Sequence, residues 1–288
     1  MNPILEALDA SFSYPGSDHS ALNGLNMQIP KGRKTAICGH NGSGKSTFFL
    51  QTVGIHKPSR GAIHWHGSPI AYRPNNLKEL RQHIGLVFQD PEHQLILATP
   101  YEDISYGLRN AGMQEHDIQV RTKSMLATMN LAPLADTPIH HLSLGQKKRV
   151  ALAGVMALEP ELLLLDEPTA YLDRISEQKL IEELDRIHAN GVTVVMATHD
   201  MNLAYAWADW ILVMDQGQCV MEGTPLEIFE HKDQLVALGL ELPLLLEVWQ
   251  SLPQHMQIQS APPRSLQQFQ QLMQQFDSSV PTSAGHNQ

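Results

Sequence analysis

Eight consecutive residues, Gly39-His40-Asn41-Gly42-Ser43-Gly44-Lys45-Ser46, have the spacing G-x-x-x-x-G-K-S and are followed by Thr47. Such a set can grip a polyphosphate. The glycines let backbone N–H groups approach phosphate oxygens, a helix N-terminus adds partial positive charge, Lys45 neutralises the outer phosphates, and Ser46 offers a hydroxyl to Mg²⁺. A second constellation, Asp166-Glu167, closes the apolar run 162–165. Asp166 is suited to hold Mg²⁺ through its water shell, and Glu167 to orient and polarise a water attacking a γ-phosphate. Either motif alone could be a Gly-rich turn or the polar end of a strand. Their presence in one chain favours phosphate chemistry.

These groups work only if strands deliver them to one place. The passage from Ile37 through the glycines to Phe49 reads as strand, loop and helix, and the apolar runs 162–165 and 192–197 read as strands buried on both faces of a parallel sheet. Open α/β sheets bind ligands at the carboxyl ends of their strands, where both motifs fall. Residues 89–142 are mostly helical in pattern, with a start at Pro100 and a long periodic stretch over 115–130. The expected organisation is an α/β body over 1–225 with a helical subdomain inserted at 88–160. A helical C-terminal extension follows over 226–276, with apolar positions at Leu235, Leu238, Leu242, Leu245 and Leu246, then Phe269, Leu272, Met273 and Phe276. The tail 277–288, in a Gln-, Ser- and Pro-rich stretch, is expected to be disordered.

The 288 residues hold 20 Lys+Arg against 30 Asp+Glu, a net charge of -10 that would repel a nucleic-acid backbone. No apolar run approaches the roughly 18 residues that span a bilayer, no secretory signal is visible, and two cysteines make no disulfide framework. The expectation is a cytosolic protein without nucleic-acid partners.

With Leu142-Ser143-Leu144-Gly145-Gln146 lying shortly before the Asp166-Glu167 strand, the chain resembles the ATP-binding-cassette family. Physically, Ser143 is a good N-cap for the following helix, whose first N–H groups make an anion site. The resemblance implies a P-loop nucleotide-binding domain with an inserted helical subdomain, and ATP and Mg²⁺ as cofactors. By resemblance the nucleotide contacts are residues 39–47, while Ser143, Gly145 and Gln146 meet the γ-phosphate held by a second cassette. Ser46, Gln89 and Asp166 hold Mg²⁺; Glu167, His199 and Gln89 form the catalytic set; Asp173 reaches across the dimer. Tyr14, in Phe12-Ser13-Tyr14-Pro15, is the aromatic for adenine stacking. Two stretches depart from the family pattern. Leu144 replaces a frequent Gly, and Tyr171 and Arg174 stand where Gly and Pro are common.

Finer likeness, in residues 88–95, 101–104 and 144–154, is to energy-coupling-factor cassettes, especially the cobalt and nickel branch, and covers residues 4 to about 250. It implies an ATPase at the cytoplasmic face of the cell membrane, reaching the bilayer only through partners. Those partners are a second identical or different cassette, a membrane coupling subunit and a substrate-binding membrane subunit. Asp90, Glu92, Glu102 and Asp103 around Leu95, Ile96 and Leu97 would suit a partner helix carrying arginine. Alternatives are a vitamin importer motor, a cytosolic cassette acting on nucleic acid or the ribosome, or a nucleotide sensor without turnover. The absence of a heptad run or second phosphate loop argues against the nucleic-acid and ribosome reading, and Glu167 with His199 against the sensor. Among 15 histidines, His64 and His66 would share a strand face, His140-His141 adjoin the signature, and His93 follows Gln89. None of these clusters completes a ligand set.

Overall fold

The computed structural model describes residues 2–258 and 260–279. Ten strands and twelve α-helices occur among them. They run as β1 (Pro3–Phe12), β2 (Leu22–Pro30), β3 (Lys34–Cys38), α1 (Lys45–Thr52), β4 (Arg60–Trp65), β5 (Ser68–Pro69), α2 (Pro74–His83) and β6 (Ile84–Val87). The helical stretch follows with α3 (Pro100–Ala111), α4 (Glu115–Thr128) and α5 (Leu144–Met156). Then come β7 (Leu162–Asp166), α6 (Arg174–Ala189), β8 (Thr193–Thr198), α7 (Met201–Trp207), β9 (Trp210–Asp215) and β10 (Gln218–Gly223). The C-terminal extension contains α8 (Pro225–Glu230), α9 (Lys232–Ala237), α10 (Leu244–Ser251), α11 (Gln254–Ile258) and α12 (Leu266–Ser279). Helix α12 thus passes the expected boundary at residue 276, and the tail from 280 onward lies outside the described residues.

The larger sheet has the order β10-β9-β3-β8-β7-β6, with β9, β3, β8, β7 and β6 parallel and β10 an antiparallel edge. Strands β7 and β8 at its centre are buried on both faces because both are covered. Cys38, Leu163, Leu165, Val194 and Met196 join the helical stretch and the extension in one buried cluster. Ile37, Leu164, Val195 and Leu212 pack on the other side with Phe48 and Phe49 of α1.

Beyond the expected parallel strands the body holds an antiparallel sheet that the sequence reading did not include. A second sheet, ordered β2-β1-β4-β5, is antiparallel and lays Ile4, Leu5, Leu25, Ile29 and Ile63 over α1. Its period-two signal is broken by irregular register between Ala7 and Ala10, where Asp9 takes a φ of 51°. The two histidines expected on one strand face also part company. The strand ends at Trp65 and His66 turns at a φ of 49°, so His64 meets the Gly67 carbonyl and His66 the Glu161 carboxylate. Among the described residues, no group of three or more His, Cys, Asp or Glu side chains is placed to hold a metal ion.

Register decides what converges. Cys38 pairs with Thr198, Ala197 with Asp166, and Leu165 with Val87, so the loops starting at Gly39, Glu167, His199 and Phe88 leave neighbouring strands at one end of the sheet. Among the described residues, no helix is long and apolar enough to cross a membrane.

A nucleotide site at the strand ends

The loop after β3 is held tightly enough that only glycine fits at two positions. A side chain at Gly39 would collide with the Met214 carbonyl, and a Cβ at Gly44, whose φ is 106°, would lie 2.6 Å from the Ala21 carbonyl oxygen. Gly44 is the N-cap of α1, so the helix N-terminus opens beside the loop. Lys45 is 5% exposed, and its Nζ donates to the carbonyls of Gly39 at 2.7 Å and His40 at 3.0 Å. Burial lowers its pKa, while Glu167 and Asp166 act in the opposite direction. An entering anion can therefore exchange places with two loop carbonyls at a cation already partly stripped of water.

A cavity of about 210 Å³ gathers Tyr14, residues 41–47, Gln89, Asp166 and Glu167. Tyr14 stands at its rim, 39% exposed, with its hydroxyl 3.2 Å from Thr47 Oγ1 and its ring edge-on to Phe12 and His56. Ser43 Oγ and Asp166 Oδ1 are buried without a hydrogen-bond partner. Unpaired buried polar atoms are rare in a finished fold, and both belong to residues lining this cavity. Burial raises the Asp166 pKa, with Glu167 adding to the effect and Ser46 and Lys45 opposing it. Glu167, only 7% exposed, accepts from His199 Nδ1 at 2.9 and 3.0 Å to its two carboxylate oxygens.

Not every expected contact lies here. The His40 ring turns away to the Asn41 carbonyl and to Asp215, each at 2.8 Å, and these bonds, that to Asn41 first, raise its pKa. Ser143 caps α5 in a reciprocal pair: its hydroxyl accepts from Gln146 N–H at 3.3 Å, and the Gln146 side chain accepts from Ser143 N–H at 2.8 Å. Ser143, Gly145 and Gln146 line a separate small cleft with Leu172 and Ser176. Asp173, expected to reach outward, caps α6 by accepting from Ile175 N–H, Ser176 N–H and Ser176 Oγ at 2.8–3.0 Å, bonds that lower its pKa. The acidic residues near Gln89 are also engaged within the chain. Asp103 accepts from the N–H groups of Ile96 and Leu97, Asp90 from that of Glu92, and Glu92 pairs with Lys147 at 2.6 Å. Of the apolar trio beside them, Leu95 is buried and Ile96 is exposed.

Two positioning groups escaped the sequence reading. Gln94 joins the strand end to α5, accepting from Phe88 N–H at 3.1 Å and donating to the Ala151 carbonyl at 3.4 Å. Arg264 of the extension donates to the carbonyls of Tyr205 and Ala208, at the far end of the helix that follows His199, while Asn202 in that helix accepts from Leu244 N–H. Neither has a local pattern to mark it, because the bonds to Ala151, Tyr205 and Ala208 cross more than fifty residues of chain.

Residues 22–170 match the ABC transporter family. The chain is 38% identical to the energy-coupling factor transporter ATP-binding protein EcfA of Carboxydothermus hydrogenoformans over 276 residues, covering 96% of this chain and 99% of that one. The solved structure of CbiO1 from Clostridium perfringens, described as part of the ABC transporter complex CbiONQ, is 40% identical with a TM-score of 0.72, over 83% of this chain and 95% of that one. A dimeric ATP-binding cassette, MJ0796, solved with ADP and phosphate, is 28% identical with a TM-score of 0.69, over 77% and 98%. A polyphosphate cradle, a paired carboxylate at the end of β7 and a capped signature helix thus meet in a chain of matching sequence and fold. This chain belongs to the ABC transporter family, among its ATP-hydrolysing subunits of energy-coupling factor type.

Proposed function

We propose that this chain is the motor of an energy-coupling factor importer for Co²⁺ or Ni²⁺, hydrolysing Mg²⁺-bound ATP at a site shared with a second cassette. The observation that supports the chemistry best is the convergence of Lys45, Gln89, Asp166, Glu167 and His199 at one end of the sheet. In this reading residues 39–47 hold the phosphates and Tyr14 offers a flat face to adenine. Lys45 releases the loop carbonyls to bind the β- and γ-phosphates. Glu167 orients the attacking water, and His199 fixes that carboxylate and approaches the γ-phosphate.

Mg²⁺ fits the residues present. The unpaired Asp166 Oδ1, its neighbour Ser46 and the amide oxygen of Gln89 are hard oxygen donors of the kind this ion takes. Bound there it would neutralise charge developing on the phosphates.

Ser143, Gly145 and Gln146 lie outside the cavity, so their anion-binding helix end serves the nucleotide of the facing cassette. A membrane coupling subunit would dock near exposed Ile96, beside the loop that carries Gln89. The chain then sits on the cytoplasmic face through its partners. Likeness to a cassette from a complex named CbiONQ supports the choice of ion. Reconstitution of the whole complex in vesicles tests the assignment. ATP-dependent Co²⁺ or Ni²⁺ uptake is expected, and uptake of a vitamin with neither ion moved would overturn the cargo while leaving the motor intact.

A further inference from the structure

We propose that Lys148 is a positioning residue for hydrolysis: from the signature helix it holds the loop behind Glu167 and so keeps that carboxylate aimed at the attacking water. The proposal rests on the role given to Glu167 above. Lys148 lies in α5 and is 3% exposed. Its ammonium donates to the carbonyls of Pro168 at 2.7 Å and Ala170 at 2.9 Å, and more weakly to that of Glu167 at 3.4 Å. The bend it gathers needs an external hold, because Glu167 and Tyr171 adopt φ values of 43° and 63°, a region side chains other than glycine seldom enter. The preceding residue, Lys147, pairs with Glu92 at 2.6 Å. Two consecutive lysines therefore tie the start of α5, whose cap is Ser143, to both loops that flank the catalytic cavity.

The charge on Lys148 is itself required. An ammonium has three N–H donors for three carbonyls; a neutral amine has two and would turn a lone pair toward the third. The charged groups around it are Glu167 behind β7 and Asp90 behind β6, with Arg149 and Lys179 lining the same cleft and His199 on the Glu167 carboxylate. Burial brings the Lys148 pKa down from 10.5 to about 8, with Glu167 and Asp90 resisting. Since the folded value is below the unfolded one, the folded chain binds fewer protons between about pH 8 and 10.5, and this group's contribution to stability rises with pH across that window. Hydrolysis should move the opposite way, which separates positioning from simple structural support.

The test compares full-length wild type, Lys148→Met, Lys148→Arg and Glu167→Gln in kcat and KM for Mg²⁺-ATP and in thermal melting, from about pH 7 to about pH 10. Wild-type kcat is expected to fall about tenfold through one proton lost near pH 8, with no matching loss of melting temperature. Lys148→Met should lower kcat about 30-fold at neutral pH with KM changed less than about threefold, whereas Lys148→Arg should stay within about fivefold of wild type and lose the step. Wild-type kcat in Lys148→Met, or a step near pH 8 surviving in Lys148→Arg, would overturn the proposal. Should the methionine variant not fold, the wild-type and arginine profiles decide. Full hydrolysis by Glu167→Gln would bring down both roles, while an inactive Glu167→Gln beside a fully active Lys148→Met removes only that of Lys148.

Discussion

Around Lys45 the charged side chains of the phosphate site are buried, whereas around Ser143 and Tyr171 the side chains stand in solvent. Ser43, Lys45, Asp166 and Glu167 are each less than one-tenth exposed, but Tyr171 is 85% and Ile175 67% exposed. Burial perturbs ionisation on the first side, lowering Lys45 and raising Asp166. On the second, the Asp173 carboxylate and the Gln146 side-chain oxygen accept N–H groups at the starts of their own helices. The phosphate-loop half is a preorganised electrostatic site, and preorganisation lets fixed charge act on a transition state. The signature half is a solvent-facing surface, and in the proposed function it becomes a site when a second cassette brings the phosphate.

This contrast can be broken by substitutions on each side. The largest effect is expected from Lys45→Ala, which removes the buried cation. Phosphate release should drop about 1,000-fold and ATP should bind at least about tenfold more weakly by titration. Ser143→Arg fills the signature cleft instead. Hydrolysis should fall about 100-fold while ATP affinity of the isolated chain changes less than about threefold; equal loss of both would erase the distinction between the two halves. Smallest is Tyr171→Gly, at a left-handed position on the exposed side. Relief of strain should raise stability by up to about 1 kcal/mol in chemical denaturation, with only a few-fold change in hydrolysis. A stability loss would mean that Tyr171 is better supported in its own chain than its exposure indicates.

The same contrast governs what could be read before the fold was known. The phosphate loop is eight contiguous residues, and Asp166-Glu167 ends a run of four leucines, so local pattern and chemistry coincide. Strands β7 and β8 and the Ser143 cap were legible for that reason. The antiparallel sheet was not, because an irregular β1 lacks clean alternation. Asp173 was assigned to the dimer by its place in the motif, and its capping bonds could not be read without knowing where α6 begins. Lys148 sits inside the basic run Lys147-Lys148-Arg149, which by composition is a solvated face; only the meeting of α5 with the loop behind β7 buries it. Contacts between distant segments, rather than residue types, were the hidden part.

The most direct test of the account is hydrolysis by the full-length Glu167→Gln chain, measured as phosphate release beside ATP binding. The amide keeps the shape of the side chain but cannot polarise the water as the carboxylate does, so phosphate release should fall at least about 100-fold with ATP affinity within about threefold of wild type. Hydrolysis at the wild-type rate would contradict the placement of the chemistry at the end of β7.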